Sequence, residues 1–219
     1  MAFNTAKNII IGAAPLFISV KDSTQSTYVE NLLDTPGSTG IAFTSGTSAR
    51  TALAAASTKV RNVGFTNNGL QITYNPTYDS VTVDQLLDTA KLFKSAMEVM
   101  IATEMTEGTL ENILTVFGQP TTSLSADLAA GTDQTLSIRG GSLLEAPTER
   151  QLFAVGNAPT TVSASTERVY YARRVLSVQQ TAHSLSRNTA STFPVTFRLL
   201  PDANYAGSEY GKIIDRVIS

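Results

Sequence analysis

The chain has no cysteine, no tryptophan and a single histidine, and only 16% of its residues are charged, well under the usual share of about a quarter. Without cysteine there is no disulfide framework, thiol nucleophile or thiolate metal site. The one histidine, His183, sits in a polar run (residues 181–187) with no marked partner for a triad or a metal. It reads as a surface or interface residue. The net charge of −2 supplies no basic footprint for tight nucleic-acid binding. The absence of tryptophan and the scatter of tyrosine and phenylalanine argue against a carbohydrate-binding face. No long apolar run is present. Ile9 to Ile11 is far too short to span a bilayer, and no basic segment leads into a cleavable one, so a soluble intracellular product is expected.

Catalytic signatures are missing as well. Residues 139–142 (Arg-Gly-Gly-Ser) lack the glycine spacing and the following helix of a phosphate loop. Residues 46–49 (Gly-Thr-Ser-Ala) are not a nucleophile elbow. Glu98, Glu104, Glu107 and Glu111 form an acid/base group only on paper. A solvated sheet face plus first-turn helix carboxylates explains them better. No enzyme, cofactor or metal site is expected.

What the chain does have is serine, threonine, alanine and glycine, with 42% hydrophobic residues over 219 positions. That is enough for one domain with a sound core. Surface of this kind suits subunit contacts, because a hydroxyl is cheaper to bury than a charge. The clearest element is a helix over about 107–117. Leu110, Ile113, Leu114 and Phe117 make one stripe, Thr106 or Thr109 can cap it, and Gly118 and Pro120 stop it. Strand patterns lie at 16–20, 60–65, 70–74, 81–83, 135–138, 151–155, 167–180, 193–199 and 212–218. Asn67-Asn68-Gly69 predicts a hairpin turn between 60–65 and 70–74. A turn is expected at 126–130 and a helical turn at 49–56, and 1–13 reads as a flexible arm. Residues 92–105 are ambiguous. Helical periodicity is slightly favoured, but as a strand Phe93, Met97, Val99, Ile101 and Met105 share one face, opposite Lys94, Ala96, Glu98, Ala102 and Glu104.

Three stretches resemble the major tail tube proteins of tailed bacteriophages. They are the strand-then-helix block ending in Thr109-Leu-Glu-Asn-Ile-Leu114, the arginine- and aromatic-rich strand 168–178, and the ending 193–202 followed by 210–216. The resemblance covers roughly the C-terminal two-thirds of the chain. It implies a mainly β fold: a β-sandwich or half-barrel protomer with one flanking helix, its strands closing into a large barrel in a hexameric ring. Rings would stack into a tube, in the virion, through which the genome passes without specific binding. The protein would be made in the host cytoplasm. Partners would be further copies and other tail parts (sheath, terminator, baseplate or tip), with no membrane. It also implies that 92–105 is strand. Alternatives are another ring component of a phage tail or related injection machine, and, ranked lower, a β-sandwich binding module.

Within that reading, Arg168, Arg173, Arg174 and Arg198 are expected at subunit interfaces, facing carboxylates such as Glu98 and Glu104 of a neighbour. The lumen wall is expected to be polar and acidic and to carry Lys94, Glu98 and Glu104 on one strand face. Residues 21–58 have few large apolar groups. They are expected to be mobile in the free chain and to order on ring stacking through Tyr28, Leu32, Leu33, Ile41, Phe43 and Leu53.

Overall fold

The structure is a computed structural model that describes residues 12–35, 37–82, 84, 88–125, 133–159, 165–179, 181–182, 187 and 190–218. The expectations for most of the N-terminal arm, for Val83, for the turn at 126–130 and for His183 lie outside the described residues.

Eight strands form one antiparallel sheet: β1 (Leu16–Ser19), β2 (Val60–Asn62), β3 (Thr66–Thr82), β4 (Thr89–Met105), β5 (Arg150–Asn157), β6 (Ser165–Ser177), β7 (Phe193–Leu199) and β8 (Gly211–Ile218). The order is β2-β1-β5-β6-β7-β4-β3, and the sheet does not close on itself. The mainly β expectation holds. β6 is the branch point. On the side away from β5 it pairs with β8 along 165–172 and with β7 at 175–177. β8 therefore continues the line of β7. Gly211 permits this, since its φ is 146° and a Cβ there would stand 1.9 Å from the Tyr171 carbonyl oxygen.

Each face of the sheet has its own core. On one, Leu16, Ile18, Leu152, Ala154, Val99, Ile101 and the odd residues of β7 pack together. On this side lies α2 (Leu110–Val116). Thr109 caps it by accepting from Asn112 N, and Gly118 at φ 64° ends it. Leu114 and Val116 are buried, while Ile113 and Phe117 lean on the core. The buried side of α2 also carries Asn112 and Thr115, which the apolar stripe did not mark. Arg61 of β2 donates to Asn112 Oδ1 (2.5 Å), the Glu111 carbonyl (2.7 Å) and Thr115 Oγ1 (2.9 Å). Burial, reinforced by nearby Arg150 and partly offset by Glu111, pushes this guanidinium down to about 10.

On the other face, the segment expected to be a mobile loop packs against the sheet of its own chain. Residues 21–58, including α1 (Ala49–Ala55), lie on Phe17, Phe153, Val155, Val169 and Tyr171. Leu32, Ile41 and Leu53 are buried, and Leu33 and Phe43 pack against them. Each fully buried large apolar side chain contributes about 1.5–3 kcal/mol. Polar anchors add to this. Asp22 accepts from Thr24, Thr121 and Arg150, and Gln151 accepts from Leu32 N. Leu32, Ile41 and Leu53 thus point into the core of their own chain, which corrects their placement at a contact between rings.

Two further sequence expectations change. Asn68 and Gly69 do adopt positive φ, at 58° and 67°, but inside β3, where they form an irregularity opposite β4. The hairpin instead joins β3 to β4 as two 17-residue strands. Pro76 is tolerated because β3 is an edge strand. Residues 135–138 form only an isolated bridge, Leu124 with Leu136.

Candidate assembly surface

β4 is a strand throughout 89–105, as the resemblance implied and helical periodicity did not. Its C-terminal half is held on both sides. Met100 to Met105 pair with β7, and Val99, Ile101, Thr103 and Met105 are buried. Its N-terminal half pairs with β3 alone. From about Tyr74 to Ala96 the two strands form an arm that stands clear of the body, its residues almost all exposed on both faces. Tyr74, Tyr78, Leu92 and Phe93 are all large and exposed.

The faces of this arm differ. Paired residues share a face, so Tyr74 with Val99 and Pro76 with Met97 continue the apolar core side. Beyond Thr77 and Ala96 the register slips by one, with Ser95 as the extra residue, and Tyr78 pairs with Lys94. The bulge turns Lys94 over to the tyrosine side, where its ammonium stands 5.7 Å from the Tyr74 ring centroid. Lys94 is therefore not on the face of Glu98 and Glu104, which corrects the expected lumen set. Glu98 and Glu104 do share a face, with Gln71, Thr73 and Asn75 of β3 and Thr196 of β7. That face is mixed: it also carries Met100 and Ala102 and, beyond the bulge, Phe93 and Lys91 opposite Asp79 and Val81, and its arginine, Arg198, lies 3.8 Å from Glu98.

No family model and no curated protein matches this chain.

The other expected interface cations are engaged within the chain. Arg173 is fully buried. It pairs with Asp34, donates to Asn31 Oδ1 (2.9 Å) and the Ser208 carbonyl (2.9 Å), and stacks 3.8 Å over Tyr205. It is a hub joining the 21–58 layer to the β7–β8 turn, which corrects its placement at a subunit face. Arg174 grips Glu149 with two bonds of 2.6 Å. Arg168 grips Asp215, its cross-strand partner, at 2.5 and 2.7 Å. Glu104 accepts from Asn67 at 3.2 Å. Burial alone would raise Asp34, but hydrogen bonds from Lys212 and Arg173 outweigh it and hold its carboxyl below the usual range. Tyr28 is half-buried, and burial raises its phenol to about 12.

The arm is the feature that sequence reading missed. Its strand pattern was split at Pro76 and at the Asn-Gly pair, so the hairpin was placed one strand too early. Among the described residues there is no cluster of three or more metal-ligating side chains, and no helix is long and apolar enough to cross a membrane.

Proposed function

We propose that this chain is a self-assembling structural protein, the tube-forming subunit of a phage tail, whose copies join into rings that stack around a channel. The observation that carries this reading is the arm. A two-stranded ribbon exposed on both faces is marginal by itself in water. Here it bears exposed tyrosines and leucine on one face and ends an open sheet with an edge strand that has no further partner among the described residues. Such an edge is a template for another chain, and closure into a barrel removes it. Copies of this chain covering one another's arms and edges satisfy both demands.

The opposite face supports the channel. Glu98, Glu104 and Asp79 stand there against Arg198, already neighboured by Glu98, and Lys91, which leaves the face net acidic. A wall of this kind repels phosphates, and a basic wall would hold them. In this reading Glu98 and Glu104 face the lumen, and the apolar tyrosine side faces protein.

Negative-stain electron microscopy with sedimentation of the purified chain tests the proposal. Open tubes of stacked rings are the expected result. Isolated rings would assign the chain to another ring component, and a monomer at every concentration would refute assembly.

A further inference from the structure

Two surface features outside the Glu98–Glu104 face fit each other. The first is the loop that precedes β5. Leu143 and Leu144 stand at its tip, 94% and 101% exposed. Leu144 has φ 99°, a conformation costly for a bulky L residue. The loop is nonetheless tied down. Gln119 exchanges hydrogen bonds with the Arg139 backbone (3.1 and 3.3 Å). Ser142 N donates to Glu145 Oε2 at 3.0 Å, and Glu145 N donates back to the Ser142 carbonyl at 3.0 Å. The two leucines are thus presented to solvent by a braced turn.

The second feature is a groove where the arm parts from β8. It holds about 270 Å³ and is lined chiefly by apolar atoms of Ile72, Tyr74, Val99, Tyr170, Tyr210 and Ile213. Lys94, over the Tyr74 ring, stands beside it. Directly after its leucines the loop carries Glu145, a half-exposed carboxylate that also stands 4.0 Å from Arg139 of the same loop.

We propose that Leu143 and Leu144 of one copy seat in this groove of the next copy, with Glu145 toward Lys94. Knob and groove occupy different stations on the chain. The loop enters β5 at Arg150, opposite Val175, whereas the groove floor lies at Tyr170 and Ala172. Set apart in this way, the contact repeats head-to-tail into a ring or filament unless two copies exchange it reciprocally about a two-fold axis, which would stop at a dimer. The proposal rests on the self-assembly reading and names one of its contacts.

The absence of cysteine makes the test clean. Leu144→Cys and Ile213→Cys chains are purified separately, mixed and oxidised, with Leu144→Cys plus Val81→Cys as control. The mixture should give a covalent dimer well above either variant alone or the control, and the double variant should give a ladder. A Leu143→Ser, Leu144→Ser chain, altered only where exposed, should keep its melting temperature. Its assembly should require at least about tenfold more protein. Assemblies that form without the disulfide between positions 144 and 213, or that form unchanged from the serine variant, would overturn the contact alone. A chain that never assembles would overturn the contact and the self-assembly reading together.

Discussion

Asp22 and Arg173 show how much a residue's neighbours decide. Asp22 is fully buried. Burial by itself would raise its carboxyl, but hydrogen bonds from Thr121 and Thr24, aided by Arg150, lower it. Its folded-state value therefore lies under the unfolded one of about 3.9. The stability it contributes is complete above about pH 4 and is lost as pH falls through the lowered folded-state value. Asp34 acts in the same sense. Melting temperature should drop as pH falls below about 4, and Asp22→Asn should flatten that drop while costing about 3 kcal/mol at neutral pH. An unchanged acid slope in the variant would contradict the assignment. Arg173→Ala should cost about 3–5 kcal/mol in urea unfolding, since it strips a buried hub. Arg198→Ala, on a half-exposed pair, should cost under about 1 kcal/mol. None of this was legible in the sequence. The arginines were visible as cations on strands, but Asn31, Asp34 and Asp22 lie far from them along the chain, and pairing at such separation leaves no local pattern.

Single elements were legible where local chemistry decides them. Thr109, Gly118 and the Leu110–Phe117 stripe mark α2, and the alternation in 193–199 marks β7, because cap, stop and burial all act within a few residues. Residues 89–98 have no such signal. They are exposed on both faces, so no period of two is imposed, and Lys94, Met97 and Glu98 favour a helix intrinsically. Pairing with β3 makes them strand, as tertiary context does for β propensity in general. The 21–58 layer looked unstructured because its few apolar residues, Leu32, Ile41 and Leu53, are widely spaced. Buried polar bonds complete its anchoring. The arm yields an element-scale prediction. Replacing residues 75–98 by Asn-Gly joins Tyr74 to Val99 through a tight turn. The shortened chain should melt within a few degrees of the parent, on the order of a 1 kcal/mol change, and should sediment only as a monomer. Assembly of the shortened chain would show that the arm is dispensable.

At the scale of the whole molecule, the open sheet, the edge of β3 that no described residue pairs and the two unlike faces of the arm make a free chain look unfinished. The mainly β class and the Glu98–Glu104 face were within reach of the sequence. The bulge at Ser95 that removes Lys94 from that face was not, because one extra residue in a strand has no composition of its own. In the proposed assembly, copies of this chain close around a channel lined by the Glu98–Glu104 face. Cryo-electron microscopy of the assembled protein measures this directly. A ring with an open centre is expected, with Glu98 and Glu104 bordering the opening and each arm covered by a neighbouring copy. Arms left in solvent, or a channel lined mainly by lysine and arginine, would contradict it.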